Sequence, residues 1–282
     1  MYETLDRLID VISPMAESEL NFNAKNMHPE AMRVYGGQVL AQCVSAAAST
    51  VAAGRLVHSQ HAYFLRPGNP AVPITLEVEK VRDGLSFSSR RVVVSQRNKT
   101  ILVSTLSFQD PSQGDEYQPD MPDVPPPEEL LSERELGLKA ANLNEEFMIT
   151  TGPDLDVRVV EPIDWENLVP RSPKLQVWMK TAGPVVDAPG RHQALLAYMS
   201  DAFLIDVCLI IHGRHYINPN FQVASLDHAL WFHQDFRADE WLLHVVEASA
   251  VGGGRGLAHG SFYTREGQLV ANTVQQGLMR KH

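Results

Sequence analysis

An internal repeat constrains this 282-residue chain more than any other feature, because its second half repeats the hydrophobic pattern of its first half. The stretch that begins at His61 corresponds to the one that begins at His228, and the segment at Ile74 corresponds to the one at Trp241, both at an offset of 167 residues. A shared backbone preserves the phase of apolar and polar positions along its strands. The sequence therefore predicts two copies of one structural unit.

Each copy begins with a stretch compatible with a helix and continues with β-rich runs. Helices are predicted over 37–53 and over 193–211, and the second is apolar nearly all round, which indicates a buried helix. The predicted strands are 56–65, 74–82, 87–96 and 100–109 in the first copy, and 222–233, 241–249, 255–264 and 268–279 in the second. This order predicts an α+β fold with two antiparallel sheets, each wrapped around a long central helix.

A segment rich in proline and acid separates the two copies. Residues 110–135 contain six prolines, nine acidic residues and one base, Arg134. Proline lacks a backbone N–H and disfavours a helix before it, so this segment is predicted to be extended and solvated. The predicted organisation is an N-terminal unit at 1–109, an acidic linker at 110–135 and a C-terminal unit at 136–282.

Composition excludes several classes of protein. The formal net charge is −10 and no basic stripe with interleaved aromatic residues occurs, so a nucleic-acid partner is not expected. No apolar run reaches the roughly 18 residues that a membrane span needs. The first residues lack the features of a signal peptide and the last four are not a peroxisomal address, so a cytoplasmic location is expected. The chain has neither the Gly-x-Ser-x-Gly motif of serine hydrolases nor a nucleotide-binding loop.

Asp201 is the first candidate for chemistry, because it lies within the apolar run 195–205. Burying a carboxylate is costly unless the group is paired, hydrogen-bonded or in use. Two interpretations stay open: a carboxylate that bonds within the core, and a general base whose pKa is raised by burial. Asp206 is expected to point to another face of the helix, so the two do not form an obvious acid pair.

Ser225 and Gln275 are polar residues in strands that are otherwise apolar. Each alone is more typical of an ordinary sheet residue. Together with Asp201 they supply an acceptor, a hydroxyl and an amide, a set that can hold and orient one water molecule.

Several short stretches, in order along essentially the whole chain, carry a family resemblance. They are VYGGQV at 34–39, LVHS at 56–59, YFLRPG at 63–68, RDG at 82–84, SFS at 86–88, SD at 200–201, LDH at 226–228, WFH at 231–233 and TVQ at 273–275. In these stretches the chain resembles the acyl-CoA thioesterase II family, which has a double-hotdog fold. The resemblance implies hydrolysis of fatty acyl-CoA to a free fatty acid and CoA.

The resemblance also implies roles for particular residues. In the family an Asp, a Thr and a Gln position the attacking water; Asp201 and Gln275 match the first and third, and Ser225 stands where the family has Thr. Serine keeps the hydroxyl but lacks the methyl group that restricts the rotamer. The proposed reaction is therefore direct attack of a water that Asp201 deprotonates.

Auxiliary roles follow from the same resemblance. Hotdog enzymes stabilise the oxyanion with a backbone N–H near a central helix, and Gly36 or Gly37 is predicted to supply it. His58 matches a family position and is predicted to act as an auxiliary base or orienting group. No metal and no redox cofactor is implied, the expected partner is a fatty acyl-CoA substrate, and a homo-oligomer (a dimer or tetramer) is expected.

Two alternatives to hydrolysis stay open at this point. One is a protein that binds or senses acyl-CoA without catalysis, which the replacement of Thr by Ser225 would permit. The other is a hydratase acting on enoyl-CoA. That reaction would need an Asp–His pair on the central helix, and the sequence around Asp201 has no neighbouring His.

Overall fold

The computed structural model describes residues 2–139, 153–164, 167–215 and 221–281. Its first half contains α1 (Tyr2–Ile12), β1 (Met15–Ala16), β2 (Asn21–Ala24), α2 (Gly36–Ala48), β3 (Leu56–Phe64), β4 (Ile74–Asp83), β5 (Phe87–Gln96) and β6 (Lys99–Gln109). A short 3-10 helix (Pro127–Glu129) and α3 (Glu133–Lys139) follow. The second half contains β7 (Leu155–Val159), β8 (Lys174–Thr181), α4 (Arg191–Ser200), α5 (Asp206–Ile210), β9 (Phe221–Ser225), β10 (Asp227–Phe232), β11 (Leu242–Gly252), β12 (Arg255–Thr264) and β13 (Leu269–Lys281).

The strands of both halves form one continuous antiparallel sheet. Its order is β1-β2-β4-β5-β6-β3-β10-β13-β12-β11-β8-β7, with β9 beside β13. The sequence predicted two sheets; they are joined because β3 and β10 pair, with Asp227 opposite Tyr63 and Trp231 opposite Ser59. This pairing satisfies the backbone groups that two separate sheets would each leave unpaired at an edge.

Seven of the eight predicted strands are confirmed, with ends that agree to within three residues. The eighth, predicted over 222–233, is divided at Leu226 into β9 and β10. Here the carboxylate of Asp227 accepts a hydrogen bond from the Gln276 N–H at 2.8 Å, so a side chain takes the place of a backbone partner. Ser225 consequently ends one strand instead of lying inside a longer one.

Helix α2 packs its apolar residues against β3, β4, β5 and β6. It ends at Ala48, five residues before the predicted end, because the hydroxyls of Ser49 and Thr50 bond the carbonyl groups of Ala46 and Ala47, each at 2.8 Å. Side chains that bond the preceding turn compete with continuation of the helix.

The second predicted helix, 193–211, is broken in the structure. α4 ends at Ser200 and α5 begins at Asp206. Between them Phe203 has a φ of 69°, in the left-handed region that bulky side chains rarely adopt. This left-handed residue interrupts the helix. Asp201 therefore follows the end of α4 and is not a mid-helix residue as predicted.

Helices α2 and α4 lie side by side and run in opposite directions. Gly190, before α4, approaches Ala48 at the end of α2, and Gly37, at the start of α2, approaches the Tyr198 carbonyl near the end of α4. The first turn of α2 thus meets the residues that follow α4. Among the described helices, none is long and apolar enough to cross a membrane.

The acidic segment contacts the second half of the sheet. Trp178 Nε1 donates to the Pro125 carbonyl at 3.0 Å, and the Gln118 side chain accepts from the Leu269 N–H at 2.9 Å. The helix α3 begins inside the predicted linker range, at Glu133. The division into 1–109, 110–135 and 136–282 stays a prediction, and its last part includes 140–152, 165–166, 216–220 and 282, which lie outside the described residues.

Candidate active site

Asp201, Ser225 and Gln275 lie together beside the first turn of α2. Gly37 N–H donates to Asp201 Oδ2 at 2.9 Å, and Gln275 Nε2 donates to Ser225 Oγ at 3.1 Å. The side chain of Gln275 also interacts with the carboxyl of Asp201 and lowers its pKa. Three groups that are distant in sequence therefore form one cluster.

Strand pairing positions the two residues that come from the sheet. Ser225 lies opposite Gly277 on β13, two residues beyond Gln275 and on the same face. A Cβ atom at Gly277 would lie 2.8 Å from two carbon atoms of Ile205, so this glycine lets the segment between α4 and α5 approach the sheet closely. That approach brings Asp201 to the strand that carries Gln275.

Two glycines allow the same approach from the side of α2. A Cβ atom at Gly36 would lie 2.7 Å from Asp201 Oδ2, and one at Gly37 would lie 2.3 Å from the Tyr198 carbonyl oxygen. The Gly37 N–H, which was predicted as an oxyanion donor, instead donates to Asp201. The corresponding role of Gly36 stays a prediction.

The environment of Asp201 raises its pKa above the ordinary value, and burial is the largest cause. His228, the Gln275 side chain, the Gly37 N–H and Arg33 each act in the opposite direction. The N-terminus of α2 also favours a negative charge at this position. Burial and these stabilising groups oppose one another, which is the balance expected of a carboxylate that accepts a proton during a reaction.

One oxygen of Asp201 is left for a ligand. Oδ1 is buried and has no hydrogen-bond partner within the described part of the chain. A buried carboxylate oxygen without a partner is costly in a protein interior. Together with the Ser225 hydroxyl and the Gln275 amide, this atom can bind and deprotonate one water molecule.

The carboxyl groups of Asp206 and Asp201 interact electrostatically, although the sequence predicted that they point to different faces of one helix. Burial and the charge of Asp201 raise the pKa of Asp206 to about 6. A continuous helix would have turned the two carboxyl groups apart; the break at Phe203 instead lets them interact.

His228 was not predicted as a site residue, although it belongs to one of the family-like stretches. Its Nδ1 lies 2.5 Å from Gln275 Oε1, and its Nε2 lies 3.0 Å from Ser200 Oγ. All three side chains are buried. The only sequence signal was the stretch LDH itself, since nothing in it shows which residues the ring contacts.

His58 lies elsewhere. Its Nε2 contacts Ser107 Oγ at 2.8 Å, and its ring packs edge-on against Phe87. On β3 it comes just before Ser59, which pairs with Trp231, whereas Ser225 lies six residues before Trp231. At about 3.3 Å per residue the two positions are roughly 20 Å apart along the sheet. The structure does not bring His58 to the Asp201 cluster.

The described residues hold no group of three or more His, Cys, Asp or Glu side chains that could bind a metal ion. Cys43 and Cys208 are both free and buried, and burial raises the pKa of the Cys208 thiol to about 11. A buried thiol of raised pKa has little thiolate character and is a poor nucleophile.

Both halves of the chain match family models of acyl-CoA thioesterases. Residues 23–109 match the family model described as acyl-CoA thioesterase N-terminal domain, and residues 170–278 match that of acyl-CoA thioesterase. Acyl-CoA thioesterase 2 of Haemophilus influenzae is 36% identical over 99% of this chain and 99% of its own length.

Solved structures agree with this relationship and confirm the predicted hotdog fold. An acyl-CoA thioesterase II from Mycobacterium marinum is 34% identical, with a TM-score of 0.79 over 99% of this chain and 97% of that one. A protein from Alicyclobacillus acidocaldarius described as having a hot dog fold is 20% identical, with a TM-score of 0.80 over 98% of each chain. The second likeness shows the fold alone.

Proposed function

Since this chain belongs to the acyl-CoA thioesterase family and hydrolyses acyl-CoA thioesters, we propose that Asp201, Ser225 and Gln275 hold and activate the attacking water. The observation that carries the proposal is that Asp201 Oδ1 is buried and has no hydrogen-bond partner among the described residues, in a carboxyl group with which the Gln275 side chain interacts. The relatives favour hydrolysis over binding without turnover and over hydration of an enoyl-CoA.

In the first step the water donates one hydrogen to Asp201 Oδ1 and is held by the Gln275 amide and the Ser225 hydroxyl. Its oxygen attacks the thioester carbonyl carbon while Asp201 takes the proton. Fixing the water in this geometry replaces a bimolecular encounter by a step within one complex. The Gly37 N–H bond keeps the other carboxylate oxygen in place during the transfer.

In the second step the tetrahedral intermediate collapses. The C–S bond breaks, the carbonyl re-forms, and CoA leaves as a thiolate that recovers a proton from Asp201 or from solvent. A thiolate is a good leaving group, so strong acid assistance is not needed. The oxyanion would be stabilised at the positive end of α2, where Gly36 is the proposed donor.

Ser225 replaces the Thr expected from the family resemblance. Its Oγ accepts from Gln275 Nε2, which leaves its O–H free to donate. Serine can therefore fill the same role, with a less restricted rotamer.

The finer architecture is part of the same proposal. We infer two hotdog units with α2 and α4 as their central helices, joined by the acidic segment. The contact between α2 and Asp201 supports this division, because the site then needs a helix from one unit and a carboxylate from the other. We also propose a homo-oligomer and a cytoplasmic location, which are the expectations from the sequence and the family resemblance.

The proposal is tested by measuring thiol release from palmitoyl-CoA and shorter acyl-CoAs. Asp201→Asn keeps the size of the side chain but removes the base, and kcat is expected to fall by about 10²-fold or more. Gln275→Ala is expected to lower kcat by about tenfold or more through loss of water positioning. Asp115→Asn, an exposed aspartate in the acidic segment, is the matched control and should leave kcat unchanged. Full activity of Asp201→Asn would refute the proposed mechanism.

A further inference from the structure

His228 connects the proposed water site to the interior of the protein. Its ring contacts Gln275 Oε1 through Nδ1 and Ser200 Oγ through Nε2, at 2.5 and 3.0 Å. We propose that His228 is a positioning residue that fixes the amide of Gln275, so that the NH₂ group faces Ser225 and Asp201. This inference rests on the proposed function, because it concerns the group that holds the water.

Two arrangements of hydrogen atoms satisfy the contacts of His228. In the first, Nδ1–H donates to Gln275 Oε1, and Nε2 accepts from the hydroxyl of Ser200. In the second, Nδ1 accepts from the Gln275 NH₂, and Nε2–H donates to Ser200, whose hydroxyl then donates to the Ala197 carbonyl 3.0 Å away. The two differ in which end of the Gln275 amide faces the water site.

Asp201 selects between them. In the second arrangement the carbonyl oxygen of Gln275 would face the Asp201 carboxylate, and two acceptors would repel each other. In the first arrangement the NH₂ group donates to Ser225 Oγ with one hydrogen and has its other hydrogen available for Asp201 or the water. Gln275 acts to lower the pKa of Asp201, which is the effect expected of a hydrogen-bond donor to the carboxylate.

The ring must be neutral for this arrangement, since one nitrogen donates and the other accepts. His228 is 1% exposed, and burial lowers its pKa, with Asp201, Gln275 and Asp227 acting in the opposite direction. A neutral His228 with the proton on Nδ1 is the form that meets all of these constraints.

Two substitutions separate the two contacts of the ring. Asn places its side-chain amide near the position of Nδ1, so His228→Asn keeps a donor for Gln275 and loses the contact with Ser200. Gln places its amide near Nε2, so His228→Gln keeps the contact with Ser200 and leaves Gln275 Oε1 without a donor. Both variants lose one buried hydrogen bond, and thermal unfolding should show similar destabilisation.

The kinetic result should differ between the two variants. We expect His228→Gln to lower kcat by about 10–100-fold with KM changed by less than about twofold, and His228→Asn to stay within about threefold of the native kcat. If His228 had only a structural role, kcat of the two variants would fall in proportion to their loss of stability. Equal losses of kcat in the two variants, or full kcat in His228→Gln, would overturn the inference.

A double-mutant cycle with Gln275→Ala isolates the coupling. If His228 acts through Gln275, then adding His228→Gln to Gln275→Ala should change kcat by less than about twofold; a second loss of the full size would contradict it. Full kcat in Gln275→Ala would instead show that the proposed role of Gln275 in catalysis is wrong. Loss in Gln275→Ala together with full kcat in His228→Gln would refute only the role of His228.

A measurement on the unmodified full chain avoids any dependence on folding of the variants. Two-dimensional ¹⁵N–¹H spectra of protein labelled at histidine distinguish a proton on Nδ1 from a proton on Nε2. The inference requires Nδ1–H for His228 at neutral pH. A ring protonated at Nε2 alone would overturn it.

Discussion

Replacing Gly37 by alanine should separate the contact between the two helices from the rest of the fold. The Cβ atom would lie 2.3 Å from the Tyr198 carbonyl oxygen and 2.6 Å from Cε1 of Tyr35. Ordinary contact between heavy atoms begins at about 3.5 Å, so the two helices must move apart by about 1 Å. The first obstacle is backbone, which cannot rotate out of the way.

This shift has two consequences of known size. Overpacking a close contact destabilises a protein by about 1–3 kcal/mol. The hydrogen bond from the Gly37 N–H to Asp201 Oδ2, 2.9 Å in the native protein, would lengthen to about 4 Å and be lost. Misplacing a reacting group by about 1 Å can lower the rate by about 10²-fold, so kcat should fall by about 10–100-fold.

The assay combines urea unfolding with thiol release from palmitoyl-CoA. Gly252→Ala is the matched control, because among the described residues no heavy atom other than those of Gly252 and its chain neighbours lies within 4 Å of its Cβ position. That variant should keep the native kcat. If Gly37→Ala has native stability and native kcat, the close approach of α2 to Asp201 is not what positions the base.

Three further results are expected. Because Asp201 must be ionised to accept a proton and burial raises its pKa, kcat/KM should fall about tenfold per pH unit on the acid side, with the inflection above the ordinary value of 3.8. Ser225→Ala should lower kcat by about tenfold through loss of one hydrogen bond, whereas Ser225→Thr should keep or raise it, as steady-state kinetics would show. Trp178→Phe removes the bond to the Pro125 carbonyl and should lower the free energy of unfolding by about 1 kcal/mol in urea titrations, with kcat unchanged.

Local sequence patterns predicted β3 to β6 and β10 to β13, because alternation of apolar and polar residues is decided by each strand's own two faces. The strands β1, β2, β7 and β8 were not predicted. The pairing of β3 with β10 could not be predicted in the same way, since either half could have ended its sheet at that edge. The break after α4 also gave no signal: 193–211 is apolar nearly all round, and no local pattern marks the left-handed conformation of Phe203 or the close approach of Ile205 to Gly277.

The sequence predicted which residues belong to the candidate site, but not how the fold brings them together. Asp201 is conspicuous as a carboxylate in an apolar run, and Ser225 and Gln275 are polar residues in strands that are otherwise apolar; the family resemblance implies a shared role for the three. Their meeting depends on long-range approach, which the glycines at 36, 37 and 277 permit and which no local pattern shows. His228 escaped prediction for the same reason, because its importance lies in partners that are 28 and 47 residues away.

Single-turnover hydrolysis in H₂¹⁸O tests most directly whether water attacks the thioester and Asp201 acts as its base. With enzyme in excess over acyl-CoA, mass spectrometry of the released fatty acid should show one solvent oxygen in every molecule, and Asp201 should stay unlabelled. If Asp201 were instead a nucleophile, attack of water on its own carboxyl carbon would release unlabelled acid and leave ¹⁸O in Asp201. That result would contradict the account.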